Sequence, residues 1–223
     1  MAHVSQSVVR LIHLTVPFGL ALACAGAALM IAAKGPHSDD PLAGTQVVVR
    51  HTVTPQMTID TAKESKTQAP AMTAKDTTGK SLTLGSTSAP RPQFVYFVLD
   101  GCPCSYEAEP MFHKLQAHFQ GKVDFVSVTD ADAEKAAHWA KEMEVKYPVI
   151  SDPDKKIIHA YHAKASVYSA LLDEKGSIVQ MWPGYSAGLL TEMNHQMSVT
   201  AHVPERPFDT EFAPTVKATG CAF

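Results

Sequence analysis

Cysteine is scarce in this chain, with 4 among 223 residues. That is too few for a fold held together by disulfides, and the two spaced as Cys-x-Cys are read as chemistry rather than stapling. Charge of one sign is also lacking. The formal net charge is -3 and no basic run occurs, which argues against a nucleic-acid partner. No internal repeat is present. The chain does have apolar side chains, at 45% of its residues, enough to bury a core. Its length suits one domain of about 150 residues with extensions.

The one long apolar run is Leu11 to Ala33, long enough to cross a bilayer. Arg10 precedes it, while Lys34, Asp39 and Asp40 follow, a balance that favours a cytoplasmic amino terminus and an exported body. A cleaved signal peptide is the rival reading. The apolar run continues past Ala21-Leu22-Ala23, which favours an anchor. Cys24 within it reads as a small buried hydrophobe, with lipidation as the alternative. The expected organisation is an anchor or signal segment over 1–34, a flexible linker over 35–68, a folded domain over 69–200 and a tail over 201–223. The linker is rich in Thr, Ser, Pro, Gln and Lys, with Val47 to Val49 as a brief extended piece. The tail contains Pro204, Pro207, Pro214 and Cys221.

Within the domain, Asp76-Thr77-Thr78-Gly79 predicts a turn between two short edge strands. Phe94 to Leu99 is apolar throughout, as expected of a central strand covered on both faces. A helix is expected from about Cys104 to Gln120, with Ala108, Met111, Phe112, Leu115 and Phe119 on one face and a kink at Pro110. Val123 to Val128 is a second strand. Asp130 is expected to cap a helix reaching Met143, with Ala133, Ala136, Ala137 and Ala140 as its apolar stripe. Tyr147 to Ile150 is a short strand, and a short helix lies near Lys156 to His162. Val167 to Leu172 and Ser177 to Trp182 flank Asp173-Glu174-Lys175-Gly176, a hairpin signal, and a last helix covers Ala187 to Val199. Helices between strands imply crossovers, and so an α/β fold with a mixed central sheet covered by helices on both faces. Trp139 and Trp182 read as packing residues.

The chemistry concentrates at Asp100-Gly101-Cys102-Pro103-Cys104, where the apolar strand ends in a sharp turn and a helix begins. A thiol at the first turn of a helix sits where unpaired backbone N–H groups stabilise its thiolate. Asp100, Glu107 and Glu109 oppose that effect, since nearby negative charge disfavours another. A turn at a strand end is expected to be exposed, so the sulfur should be reachable from solvent.

These features together resemble the thioredoxin-fold redoxins, the broad AhpC/TSA and TlpA-like group, over about Ala69 to Met197. The resemblance opens with Ala69-Pro70 through Gly79-Lys80 and runs through the apolar strand and Gly101-Cys102-Pro103-Cys104. It continues in Tyr147-Pro148-Val149-Ile150-Ser151-Asp152-Pro153-Asp154 and closes with Leu171 to Ile178. It implies a thioredoxin-like fold and a thiol–disulfide oxidoreductase acting on a protein thiol or disulfide partner, with no bound cofactor. By alignment to the Cys-Pro step, Cys102 is the attacking thiol. Either Cys104 or Cys221 resolves the mixed disulfide. A ring closed through Pro103 alone would be strained and readily reduced. With an anchor, the domain would be extracytoplasmic, and periplasmic if bacterial.

Three departures bear on function. The family's usual Cys-x-x-Cys is Cys-x-Cys here, and its usual cis-proline position is occupied by Val167 in Ser166-Val167-Tyr168. The threonine and arginine of a peroxidase site are missing. Leu99 and Gly101 stand three residues before the two cysteines, and the arginines are Arg10, Arg50, Arg91 and Arg206. Alternatives therefore include an atypical peroxiredoxin-like peroxidase and a degenerate redoxin kept as a binding module. A third is a Cu(I) chaperone in which Cys102, Cys104 and one of His159 or His162 hold the metal.

Overall fold

The computed structural model describes residues 51–223. The expected anchor over Leu11 to Ala33, Cys24 and the extended piece at Val47 to Val49 lie outside the described residues. Among the described residues no helix is long and apolar enough to cross a membrane.

The stretch read as linker holds regular structure where it is described. After β1 (His51–Thr52) comes α1 (Pro55–Glu64), capped by the Thr54 hydroxyl accepting from the Met57 N–H at 3.2 Å. A threonine cap followed by proline at the first helical position is a helix start, which composition alone does not reveal. β2 (Met72–Lys75) and β3 (Ser81–Leu84) form the expected hairpin, a sheet of their own. Asp76 closes its turn, with Oδ1 accepting from the N–H groups of Thr78 and Lys80 at 2.9 and 3.0 Å.

The main sheet has five strands. β4 (Gln93–Val98) is central and buried along its whole length. β5 (Asp124–Thr129) and β6 (Val149–Ser151) extend it in parallel on one side. β7 (Ser169–Leu172) and β8 (Ile178–Trp182) extend it antiparallel on the other. The parallel steps need crossovers, supplied by α2 (Pro103–His118) and α3 (Ala133–Glu142). α4 (Lys156–Ala160) and α5 (Ala187–Thr200) complete the layers.

Strand alternation divides the core in two. Phe94, Tyr96 and Val98 face α2, α3 and α5 through Phe112, Leu115, Trp139, Leu190 and Met193. Val95 and Phe97 face α4 with Ile150, Ile158 and Tyr161. Each large apolar side chain so buried contributes about 1.5–3 kcal/mol. Trp139 and Trp182 are both core residues, as expected of packing.

α3 differs from its sequence pattern. Asp132, not Asp130, caps it, with Oδ1 accepting from the Lys135 N–H at 2.9 Å. Its buried residues are Ala136 and Trp139, while Ala133 and Ala137 are exposed. The bulk of Trp139 sets which face turns inward, outweighing a stripe of small alanines. Asp130 is used elsewhere, accepting from the Asp100 N–H at 2.8 Å just before the cysteines.

The tail is part of the fold. Asn194 Nδ2 donates to the Arg206 carbonyl at 2.9 Å, and Lys114 pairs with Asp209 at 2.8 Å. The chain then pairs with Tyr185 through Ala218, and β9 (Ala218–Thr219) lies antiparallel to β1.

Candidate active site

Gly101 takes a left-handed φ of 70°, a turn that glycine makes without strain. It delivers Cys102 to the N-cap of α2, with Pro103 in the first turn. Proline there sacrifices an N–H that would lack a helical partner anyway. The cysteine sulfur therefore stands where Ser, Thr or Asp more often accept hydrogen bonds at a helix start.

The expectation of a solvent-reachable thiol is overturned. Cys102 is 1% exposed, and Cys104 likewise. The cause is the tail, whose last residues cross directly over the turn. Cys221 Sγ lies 3.5 Å from Cys102 Sγ, and the Cys221 N–H points at the same sulfur at 3.4 Å. From the other side the Ser166 hydroxyl donates to Cys102 Sγ at 3.2 Å. The described cysteines are all thiols.

Burial opposes ionisation of Cys102, but hydrogen bonds from the Cys221 N–H, the Ser166 hydroxyl and the Cys221 thiol outweigh it, and the nearby Ser105 N–H, whose own bond goes to the Cys102 carbonyl at 3.0 Å, adds to them. The net effect lowers the Cys102 thiol to about 7. Much of the stabilisation thus comes from the tail and Ser166, in addition to the helix terminus. The acidic neighbours do less than expected. Asp100 pairs with Lys135 at 3.1 Å, and Glu109 is buried, accepting from the Tyr147 hydroxyl at 2.5 Å.

The other two sulfurs differ. Burial pushes the Cys104 thiol up to about 11, reinforced by the charge of Cys102. Cys221 is also raised, by burial and then by its bond and charge interaction with Cys102. His51 Nε2 lies 3.6 Å from Cys221 Sγ, beside the strand pair that β1 makes with the tail. Of the three sequence-derived candidates, Cys102 and Cys221 are thus in contact, and Cys104 is buried next to them in the first turn of α2.

Val167 has a φ of 67° and is buried, an uncommon and strained conformation for a β-branched residue. Its N–H donates to the Phe97 carbonyl at 2.8 Å, while the preceding Ser166 N–H donates to the Cys221 carbonyl at 2.9 Å. The strained step turns two successive N–H groups to different partners, one in the sheet and one in the tail.

Sequence reasoning missed Ser166, Gly220 and His51. A glycine immediately before Cys221 was the available signal for close backbone approach. An ideal Cβ at Gly220 would lie 1.7 Å from Ser166 Oγ and 3.1 Å from Cys102 Sγ. Nothing in composition or periodicity marks His51.

The histidines expected to complete a soft-metal site are elsewhere. His162 pairs with Glu64 at 2.9 Å, and His159 and His162 line a separate cleft with Asp60 and Lys164. Among the described residues no group of three His, Cys, Asp or Glu side chains is arranged to hold a metal ion. The described arginines are also engaged away from the thiols. Arg91 pairs with Asp124 at 2.7 Å, and Arg206 donates to the His118 carbonyl.

Sheet order, crossovers and a cysteine at the first helix after the central strand define a thioredoxin-like protein. The chain matches the AhpC/TSA family over residues 66–181 and belongs to it. Solved structures agree on the fold. A Chlorobium tepidum protein assigned as thiol:disulfide interchange protein DsbE is 19% identical with a TM-score of 0.56, covering 61% of this chain and 97% of that one. Peroxiredoxin Q of Xanthomonas campestris is 18% identical with a TM-score of 0.54, covering 62% and 99%. A Bacteroides thetaiotaomicron protein assigned as a protein disulfide isomerase is 23% identical with a TM-score of 0.53, covering 60% and 90%. No curated protein matches the chain.

Proposed function

We propose that this chain is a membrane-anchored, extracytoplasmic thiol–disulfide oxidoreductase in which Cys102 attacks and Cys221 resolves. The observation that carries the reading is the 3.5 Å approach of the two sulfurs, one lowered toward neutrality and the other delivered by a docked tail. Cys102 is buried while the tail is seated, so the tail first lifts away, and the Cys102 thiolate then attacks one sulfur of a partner disulfide. A mixed disulfide forms, and the partner's other sulfur leaves as a thiolate. Cys221 loses its proton, with His51 Nε2 as the nearby acceptor, and attacks Cys102 Sγ. The Cys102–Cys221 disulfide forms and the partner's second thiolate leaves, so the partner gains two electrons and the protein loses two. A dithiol reductant reverses the last step, and the same chemistry run backward oxidises a partner. Cys104, pushed to about 11, is a poor attacking group near neutrality.

The anchor reading rests on the Leu11 to Ala33 run and its flanking charges. The periplasm or another oxidising compartment suits a site of this kind. In an insulin-reduction assay Cys102→Ser abolishes activity, and Cys221→Ser accumulates the mixed disulfide on Cys102. Wild-type rates from Cys102→Ser would reject the assignment.

A further inference from the structure

The tail meets the rest of the chain as a short antiparallel strand. The Ser166 N–H donates to the Cys221 carbonyl at 2.9 Å, the Gly220 N–H to the Ser166 carbonyl at 3.0 Å, and the Phe223 N–H to the Lys164 carbonyl at 3.2 Å. Ala165 and Ala222 pair between them. This is main-chain recognition, which any extended segment can reproduce. Side chains then set what fits. At Gly220 an ideal Cβ would lie 1.7 Å from Ser166 Oγ and 3.0 Å from Ser166 Cβ, so rotating the hydroxyl away does not clear the space. Two residues after the cysteine, Phe223 lines a cleft of about 480 Å³ with Tyr168, Met181 and Ala163, rimmed by Asp60 and Lys164. With the tail seated, Cys102 is 1% exposed, so a partner sulfur cannot reach it.

The geometry points to a partner-docking site along Lys164–Ser166 for an extended protein segment in which glycine immediately precedes the reactive cysteine and an aromatic follows two residues after it. The chain's own Thr219-Gly220-Cys221-Ala222-Phe223 is the resident occupant that such a segment displaces. The inference deepens the exchange reading above and rests on it. The partner segment arrives as a disulfide and takes the tail's place on the Ser166 backbone. Cys102 then bonds to its cysteine sulfur while the other half leaves as a thiolate. Return of the tail brings Cys221 onto Cys102 and expels the partner cysteine as a thiolate.

The test uses the full chain carrying Cys221→Ser and two peptides, Thr-Gly-Cys-Ala-Phe and Thr-Ala-Cys-Ala-Phe, each as its mixed disulfide with thionitrobenzoate. Thionitrobenzoate release gives the rate, and mass spectrometry of proteolytic peptides places the adduct on Cys102 rather than Cys24 or Cys104. The symmetrical small disulfide of thionitrobenzoate is run alongside. The glycine peptide is expected to react at least about tenfold faster than the alanine peptide, since overpacking a tight contact is costly. A Gly220→Ala/Cys221→Ser chain, whose own tail meets the same obstruction, should react faster still with the glycine peptide. Equal rates for the two peptides, with the small disulfide reacting normally, overturn the docking inference and leave thiol exchange standing. No reaction with any of the three overturns the exchange reading, and the docking inference with it.

Discussion

Replacing Ser166 with alanine removes one hydrogen bond to the Cys102 sulfur while leaving the backbone that holds the tail. The hydroxyl donates to Cys102 Sγ at 3.2 Å in a buried setting. A hydrogen bond to a charged group contributes about 1.5–3 kcal/mol, and about 1.4 kcal/mol corresponds to one pKa unit. The Cys102 thiol, at about 7 in the native protein, should therefore rise by about one to two units in Ser166→Ala. At neutral pH the thiolate fraction falls from about a half to between about a tenth and a hundredth. Each remaining thiolate becomes more nucleophilic as its pKa rises, by roughly threefold per unit. Together these give a loss of about two- to sixfold at neutral pH and a higher plateau in alkali. The assay is iodoacetamide labelling of native protein against pH, with the Cys102 peptide quantified by mass spectrometry. A midpoint unmoved from that of the wild type would refute the argument that Ser166 holds the charge.

Three further outcomes follow from the same geometry. Because the folded Cys102 thiol is depressed, its ionisation stabilises the folded protein fully above the ordinary value of 9.0 and ceases to do so as pH falls through about 7. Urea midpoints of the reduced protein should therefore rise across that window, and Cys102→Ser should flatten the rise. Asp152 accepts from the N–H groups of Lys156, Ile157 and Ile158 at 2.8–2.9 Å. Asp152→Ala should cost about 1–2 kcal/mol, read from denaturant unfolding, and an unchanged midpoint would contradict the capping role. Phe112 is fully buried between Phe94 and Tyr96, with ring centroids 5.6 and 4.4 Å away. Phe112→Ala should cost about 3–5 kcal/mol in the same measurement.

The fold was legible where patterns are local. The unbroken apolar run from Phe94 announces a strand buried on both faces. Asp173 to Gly176 announces a hairpin, and Cys102-Pro103 marks a helix start. The misread pieces turn on which of two competing local signals wins. Ala133 and Ala137 have helical spacing, but Trp139 decides which way α3 turns. Thr54-Pro55 signals a helix inside a stretch whose composition reads as tether. The largest gap concerns the site. Residues 201–223 carry three prolines and no periodicity, so nothing local indicates that they cross the domain and bury Cys102. That crossing needs Gly220 to clear Ser166 and Val167 to adopt a left-handed backbone, both consequences of tertiary contact. Cys221 was identifiable as a candidate, but its preference for Cys102 over Cys104 is a matter of three-dimensional placement.

Disulfide mapping of the mildly oxidised full-length protein tests the central claim most directly. Proteolysis after blocking of thiols should yield a linked pair of peptides containing Cys102 and Cys221, with Cys104 recovered as an alkylated thiol. Recovery of a Cys102–Cys104 or Cys104–Cys221 linkage instead would contradict the account.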